Sequence, residues 1–431
     1  MPRKIFLSFL GAIPYYPTKY YLEANRQDLS DEIYFVQEHL IRRHRVMDEV
    51  IIFTTHEASK NNYHSRIERP RDQPPVFHEE QGLESALQPL KADGSLKVYR
   101  EQPIANGYSE AEIWDVFQTV FEQLEEGDHV IFDVTFGFRS LPMLVIVLLN
   151  YARTLKNITV EAIYYGNYEA GKEEKSIKGT PHVEAPVLRL DAFVQLQDWT
   201  HAAQSFAVGN VTPLSRITQA KYPAFSQEID HFAKAIQTCR GFDMIQHIDV
   251  DKLKANIQQM SAQSDIEAVL RPLLDIVGSK LAPFQSRQLS NGFAAVEWCI
   301  EHGMIQQGVT ILQETLQSYV IESILGRDEL TMRIYRFAAN GALGGYKSPK
   351  RTIEEAHRDK FPVTDDELTA TYQSMYELVK SKEGLSVQYR LLTGELRNDI
   401  NHGGFRDNYM TPAGLKAELS RIFDEIKALN L

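Results

Sequence analysis

The sequence predicts an α/β fold with a parallel sheet in its first part and an all-α fold in its second part. Near-continuous apolar runs alternate with amphipathic helical patterns up to about residue 190, as in parallel sheets that are covered on both faces. Beyond that point strand signals fade and helical periodicity dominates. A chain of 431 residues is long enough for two or three domains.

In the first part, the apolar runs have the length of strands, and helix-start signals separate them. Ser30, Ser109 and Ser140 are predicted to precede helices, of which the first ends near His44 and the last spans residues 143–155. This alternation is typical of a Rossmann-like sheet, whose ligands bind beyond the carboxyl ends of the strands. The predicted strands are residues 5–10, 50–53, 96–99, 129–133, 158–165 and 186–190, the last of them at a sheet edge.

The second part has apolar residues at helical spacing. We therefore predict three divisions: an α/β domain over residues 1–190, a helical connector over 191–285 and a helical domain over 286–431. The predicted helices of this part are residues 251–260, 266–277, 293–319, 365–397 with a loop near 382–384, and 411–429.

The composition limits the classes of function. The net charge of −12, from 46 basic and 58 acidic residues, argues against a broad basic surface that coats nucleic acid. Small basic clusters do occur, at residues 42–45 and 347–351. Cys239 and Cys299 are too far apart in sequence to indicate a disulfide framework or a zinc site, so we predict a cytoplasmic protein with no metal. No segment is predicted to span a membrane.

Two loops follow predicted strands at the edge where ligands bind. In the loop over residues 135–140, Thr135 and Ser140 offer hydroxyl groups, Arg139 offers a guanidinium fork, and Gly137 lets a ligand approach the backbone. A helix N-terminus follows, which attracts phosphate. These residues predict a cradle for a phosphodiester. The alternative is a tight turn from strand to helix with a helix cap.

The other loop, over residues 11–18, leads into a run of aromatic residues. Tyr15, Tyr16, Tyr20 and Tyr21 surround Lys19, a composition that can stack on bases and hold a phosphate. Local packing is the alternative. Farther along, residues 166–172 have the spacing of a phosphate-binding P-loop, but Glu173 stands where Ser or Thr would bind magnesium, and we predict an exposed loop there instead.

Near the C-terminus, Arg397, Asn398 and His402 form a string that suits metal-independent cleavage of RNA. Histidine moves protons near neutral pH and arginine grips phosphate. Residues five apart on a helix diverge by roughly 140°, whereas Asn398 and His402 share one face, so that Asn398 could orient the imidazole. One copy makes a poor active site, but two copies across a two-fold axis would surround one phosphate. The alternative is an ordinary helix end.

Together these segments resemble the CARF–HEPN proteins of type III CRISPR systems, in particular the branch with the DxTHG signature. The resemblance extends over nearly the whole chain. Phe136 occupies the signature's histidine position, so the resemblance does not imply that the sensor domain hydrolyses its ligand. The segments are residues 9–11 and 15–20 for the opening strand and loop, 133–142 for the signature, 185–190 with Trp199 for the end of the sensor domain, 302–316 for the HEPN helix, and Arg397, Asn398 and His402 for the catalytic motif.

The resemblance implies a Rossmann-like CARF domain that binds a cyclic oligoadenylate, with the tetramer as the expected ring. Two such domains in a homodimer would form one pocket and switch on cleavage of single-stranded RNA by paired HEPN domains. The alternatives are a cyclic oligoadenylate-binding regulator and a ring nuclease, each without ribonuclease output. The implied ligand-binding residues are Gly11, Tyr15, Thr18, Thr135, Phe136, Gly137, Phe138, Arg139 and Ser140, with Arg397, Asn398 and His402 as catalytic residues and no metal.

Overall fold

A computed structural model describes residues 2–23, 25–137, 141–179, 182–262, 267–405 and 407–431. The chain divides into two compact units, residues 1–197 and 198–431. The N-terminal unit is built on a sheet, and the C-terminal unit is helical. The predicted division of the chain at residues 190 and 285 into three domains stays a prediction.

The N-terminal unit contains a mostly parallel sheet with the strand order β3-β2-β10-β9-β8-β1-β4-β7. Strands β1, β4, β7, β8 and β9 run parallel, whereas β10 pairs antiparallel with β9 and β3 pairs antiparallel with β2. A separate antiparallel pair joins β5 and β6. The strands are β1 Lys4–Leu10, β2 Thr18–Leu22, β3 Glu32–Ile33, β4 Met47–Thr54, β5 Ser65–Glu68, β6 Val76–Glu79, β7 Leu96–Pro103, β8 His129–Asp133, β9 Thr159–Gly166 and β10 Val183–Arg189.

Helices cover both faces of this sheet, as the apolar runs predict. Because side chains of a strand alternate between faces, β1 contributes Phe6 and Leu10 to one core and Ile5, Leu7 and Phe9 to the other. Helices α1 and α3 pack on the first face, and α4 and α5 pack on the second. The helices are α1 Val36–Arg43, α2 His56–Ala58, α3 Leu83–Ala92, α4 Glu110–Glu122, α5 Leu141–Lys156 and α6 Tyr168–Lys178, with a π-helical turn at Ser59–Tyr63 and a further helix, α7, at Asp191–Ala207.

Three local predictions for this unit are wrong. Ser30 does not begin a helix, because Glu32–Ile33 pairs with β2 and helix α1 begins at Val36. Strand β10 is not at an edge, since it lies between β2 and β9. The predicted exposed loop after β9 is helix α6, which packs on β10 through Gly171. A Cβ on Gly171 would lie 2.5 Å from the Glu184 carbonyl oxygen, so close packing rather than phosphate binding explains this glycine.

The C-terminal unit is a helical bundle around one large apolar core. The helix predicted over residues 293–319 is two helices, α13 and α14, separated by a turn in which Gly303 has a φ of 70°. Gly292 lets these helices approach closely, since a Cβ there would lie 2.2 Å from the Thr315 hydroxyl. The helices are α8 Thr212–Thr218, α9 Pro223–Gln237, α10 Gly241–Gln246, α11 Val250–Ser261, α12 Glu267–Leu281, α13 Ser290–Glu301, α14 Ile305–Leu325, α15 Arg333–Leu343, α16 Lys350–Arg358, α17 Asp365–Ser381, α18 Leu385–Arg390, α19 Arg397–Asn401 and α20 Pro412–Lys427, with a 3-10 turn at Arg327–Glu329 and a π-helical turn at Leu391–Leu396.

Among the described residues, no helix combines the length and the apolar composition needed to cross a lipid bilayer.

Replacement of Gly171 by Ala should destabilise the N-terminal unit by about 1–3 kcal/mol, because the added methyl group meets backbone atoms that cannot rotate away. Gly278→Ala is the matched control. Gly278 is also helical, but a Cβ there meets nothing within 4 Å, so this change should stabilise helix α12 by up to about 1 kcal/mol. Denaturant unfolding of both variants checks the prediction, which equal effects would contradict.

Candidate functional site

A cavity of about 330 Å³ lies at the carboxyl ends of the neighbouring strands β8, β1, β4 and β7. This is the edge at which parallel sheets bind ligands. Its walls combine exposed apolar groups with a few hydroxyl, amide and carboxylate groups. The lining residues are Phe9, Leu10, Gly11, Ala12 and Ile13 after β1, Thr55 and Glu57 after β4, Ile104, Asn106 and Tyr108 after β7, and Thr135, Phe136, Gly137 and Leu141 after β8.

Behind this cavity, the carboxylate of Asp133 holds the ends of β1 and β8 together. Asp133 is fully buried and accepts hydrogen bonds from the Ser8 hydroxyl at 2.7 Å and from both the backbone N–H and the hydroxyl of Thr135. The Gln37 amide donates to Ser8 in turn, at 2.9 Å. Burial raises the pKa of Asp133 to about 6, although its hydrogen bonds oppose this rise. Asp133 therefore positions Thr135 rather than facing a ligand.

Thr135 connects the ends of β8 and β9. Its hydroxyl donates to Asp133 and accepts from the backbone N–H of Gly166 at the end of β9, at 2.7 Å. These two hydrogen bonds fix the start of the loop at Thr135–Gly137. Gly137 is packed closely as well, since a Cβ there would lie 2.7 Å from a methyl group of Leu141. The cavity wall after β8 is preorganised by contacts inside the unit.

The loop after β1 is held by an aromatic side chain that sequence reasoning assigned to ligand binding. The Tyr15 hydroxyl accepts a hydrogen bond from the Gly11 N–H at 2.9 Å, and its ring lies edge-on to Phe136 with centroids 4.3 Å apart. Tyr15 is only 5% exposed, and burial raises the pKa of its hydroxyl well above the usual range. Tyr15 supports Gly11 and Phe136, which line the cavity, and its own ring is covered.

Two asparagines that the sequence did not single out fix the same loop. Asn62 donates to the carbonyl oxygens of Gly11 and Ile13 at 2.7 and 2.8 Å, and Asn61 donates to that of Ala12 at 2.9 Å. Both asparagines are buried on the π-helical turn after α2. They belong to a segment far from the loop in sequence, so no local pattern reveals them.

The remaining predicted ligand-binding residues are placed differently. Thr18 is fully buried at the start of β2, its hydroxyl donates to the Tyr16 carbonyl at 2.9 Å, and it does not line the cavity. Phe138, Arg139 and Ser140 lie outside the described residues. Conversely, Thr55, Glu57, Asn106 and Tyr108 line the cavity and were not predicted. These residues follow β4 and β7. The principle that ligands bind beyond the carboxyl ends of parallel strands therefore predicts them as well as the loop after β8.

In the C-terminal unit, Arg397, Asn398 and His402 are all exposed at the end of helix α19. The Asn398 amide donates to the Gly394 carbonyl at 2.7 Å, rather than to the His402 imidazole as predicted. In the described part of the chain, the Arg397 guanidinium and the His402 imidazole make no ion pair or hydrogen bond of 3.5 Å or less. Two groups able to bind and protonate a phosphate are thus presented to solvent.

This segment is anchored by Asp399, a residue that sequence reasoning passed over. Asp399 is 4% exposed, and its carboxylate accepts a hydrogen bond from the Met410 N–H at 3.0 Å. The helix ends at His402 because Gly403 and Gly404 follow with φ of 61° and 77°. A π-helical turn precedes Arg397, and such turns often mark functional sites.

Across the described residues, no three His, Cys, Asp or Glu side chains cluster in a way that could hold a metal ion.

Asp133→Asn should make stability less dependent on pH. Because folding raises the pKa of Asp133 from its ordinary value of 3.8 to about 6, its stabilising contribution is complete below pH 4 and is lost as the pH rises through 6. Asn keeps an acceptor for Thr135 and can donate to Ser8. The variant should therefore gain about 3 kcal/mol relative to the parent between pH 4 and 7, as measured by calorimetry. A difference that is constant with pH would contradict this.

Part of the chain matches known proteins. Residues 5–169 match the family model of the CARF domain of the CRISPR system endoribonuclease Csx1. A CRISPR-associated protein of Methanocaldococcus jannaschii is 26% identical over 137 residues, which cover 31% of this chain and 20% of the relative. The chain thus aligns with about a fifth of that relative's length. The N-terminal unit of this chain contains a CARF domain of the kind found in CRISPR-associated proteins.

Proposed function

We propose that the chain is a cyclic oligoadenylate-activated endoribonuclease of type III CRISPR defence, which cleaves single-stranded RNA without a metal. The observation that carries the proposal is the combination, in one chain, of a CARF domain and of exposed Arg397 and His402 side chains that have no ion-pair partner among the described residues. The helical unit would then be a HEPN domain.

The cavity of the CARF domain suits part of a cyclic oligoadenylate. Ligand pockets commonly measure about 300–1,000 Å³, and this one, at about 330 Å³, lies at the small end of that range. It offers Asn106 and backbone groups near Gly137 for polar contacts and Phe136, Ile13 and Tyr108 for adenine rings. One cavity would hold about half of a cyclic tetra-adenylate. A second copy of the chain would supply the other half.

An apolar surface beside the cavity supports such a dimer. Met143, Val147, Tyr151 and Leu155 repeat every four residues along α5, and each is about half exposed or more. The ring of Tyr151 is tilted against that of Phe117 with centroids 5.6 Å apart, and Phe117 in turn contacts the exposed Trp114. We call these residues the α4–α5 stripe. Exposed apolar patches of this kind mark interaction surfaces. Since Leu141 of the same helix lines the cavity, a two-fold partner on the stripe would bring two cavities together.

The proposed chemistry uses the side chains of the C-terminal motif. The 2′-hydroxyl of the substrate attacks the adjacent phosphorus, the O2′–P bond forms and the P–O5′ bond breaks. One His402 removes the proton from the 2′-hydroxyl, and the His402 of the second copy donates a proton to the leaving 5′-oxygen. Arg397 stabilises the charge on the phosphorane. Asn398 holds the helix end through Gly394. The products would carry a 2′,3′-cyclic phosphate and a 5′-hydroxyl group.

His402→Ala should lower RNA cleavage by about 10²–10⁴-fold, because proton transfer by a positioned side chain contributes that much. The assay is cleavage of labelled RNA in EDTA, with and without cyclic tetra-adenylate. Activator binding should be unchanged. His201→Ala is the matched control, since His201 is also exposed on a helix of the same unit.

Each outcome of this assay separates the proposal from its alternatives. Full cleavage by the His402 variant would remove His402 from the mechanism. Binding of the activator without any RNA cleavage by the parent chain would indicate a regulator. Chromatography of the activator after incubation detects a ring nuclease, an activity for which Phe136 supplies no proton-transferring group.

Met143→Glu with Val147→Glu should dissociate the proposed dimer and weaken activator binding. Both side chains are exposed, so the folded monomer tolerates the changes, whereas an unpaired carboxylate in an apolar interface costs several kcal/mol. The dimer dissociation constant should rise by at least about 100-fold, as measured by sedimentation. Ile177→Glu is the control, because Ile177 is exposed on α6 away from the stripe. An unchanged dimer would exclude this surface.

A further inference from the structure

The C-terminal unit contains a second cavity, of about 420 Å³, between the end of α15, the start of α16 and α17. Neither the CARF domain nor the Arg397–His402 motif includes its residues. We call it the α15–α16 cavity. It is lined by Phe337, Asn340, Gly341, Tyr346, Lys347, Ser348, Lys350, Arg351, Thr352 and Tyr372.

Three basic side chains at the mouth of this cavity are not neutralised. Lys347, Lys350 and Arg351 are exposed, and none of them forms an ion pair within 4.0 Å in the described part of the chain. The carboxylate of Glu355, which follows them on α16, is already taken by Arg333 and Arg358. In a chain with a net charge of −12, such a cluster is a local positive site. The N-terminal end of α16 adds partial positive charge, since its Pro349 cap offers no side-chain acceptor.

The same cavity presents an aromatic ring and an amide. Tyr346 is 62% exposed, and its backbone carbonyl accepts a hydrogen bond from the Tyr372 hydroxyl at 2.7 Å, which fixes the loop. The backbone at Tyr346 is thus held in place, and its ring is largely uncovered. The Asn340 oxygen accepts a hydrogen bond from the Tyr389 hydroxyl at 2.6 Å, so the Asn340 NH₂ group remains available to a ligand.

Tyr389 places this cavity near the exposed motif. It is buried between Asn340, to which it donates, and Gln317, which donates to it at 3.0 Å. Burial raises the pKa of Tyr389, and the positive charge of Arg397 is close enough to oppose that rise. Tyr389 thus contacts a residue of the cavity and lies in the same helical segment, residues 385–401, as Arg397.

We propose that the α15–α16 cavity binds single-stranded RNA, with its basic side chains on successive phosphates and Tyr346 stacked on a base. Cations beside an uncovered aromatic ring are the combination that binds single strands without sequence preference. The inference rests on the proposed function, because it takes the RNA bound in the cavity to be the substrate of that function. It adds a substrate-binding site distinct from Arg397 and His402.

The test measures binding separately from cleavage. The probe is a fluorescent oligouridine whose 2′-oxygens are methylated, because it cannot be cleaved by 2′-hydroxyl attack and lacks the adenines that a CARF domain would bind. Lys347→Ala with Lys350→Ala and Arg351→Ala should lower its affinity at least tenfold at low salt. The slope of log affinity against log salt should fall by about 2, at ~0.7 per phosphate contact.

Arg216→Ala with Lys221→Ala and Lys252→Ala is the matched control. These three cations are exposed in the same unit, none of them lines the cavity, and their removal changes the net charge equally. Their loss should change neither the affinity nor the slope. Tyr346→Ala should weaken binding by about tenfold with the salt slope unchanged, because it removes stacking and no charge.

Equal affinity and equal slope for the two triple variants would overturn the inference, whether or not the chain cleaves RNA. Competition by polyglutamate together with an unaffected Tyr346→Ala variant would also overturn it and would indicate an acidic protein partner. If the probe binding depends on the cavity and yet no RNA is cleaved under any activator, the binding site stands and the proposed function fails.

Discussion

The buried carboxylate of Asp133 is the interaction on which the ligand edge of the N-terminal unit depends. Through Ser8 it holds β1, through Thr135 it holds the loop after β8, and Thr135 in turn holds the end of β9. Gln37 of α1 joins the same network. A buried carboxylate is costly unless hydrogen bonds satisfy it, and here three donors do so. The cavity wall is therefore supported by a hydrogen-bond network that links three strands and a helix.

The sequence predicted the central strands well and the periphery less well. Strands such as β8 are continuous apolar runs, and burial on both faces leaves only one interpretation for them. Helix α6 was missed because its residues are mostly polar and the packing of Gly171 on β10 decides its position. The candidate site shows the same limit. Gly11 and Thr135 follow apolar strands and were found, whereas Asn61 and Asn62 act across the fold and leave no local pattern.

The C-terminal motif is predicted from residue types alone, whereas its surroundings could not be predicted in this way. Arg397, Asn398 and His402 can be read directly from the sequence. The Asn398 amide, however, donates a hydrogen bond to the Gly394 carbonyl instead of to the imidazole. The anchoring of the segment by Asp399 also depends on where Met410 lies. The residue types can thus suggest a reaction, whereas the hydrogen-bond partners depend on packing between segments that are distant in sequence.

The two sites have a similar arrangement, but their aspartates differ in how many carboxylate oxygens accept a hydrogen bond. In each, a buried aspartate lies behind a glycine-containing loop. Asp133 has donors on both carboxylate oxygens, whereas one oxygen of Asp399 has no hydrogen-bond partner among the described residues. A buried, unsatisfied acceptor costs about 1–3 kcal/mol, so this oxygen of Asp399 favours any rearrangement of the segment that brings it a donor. Under the proposed function, such a rearrangement would accompany activation. In that proposal the activator binds a preformed site, whereas the cleavage site would gain its final arrangement only from the energy of that binding.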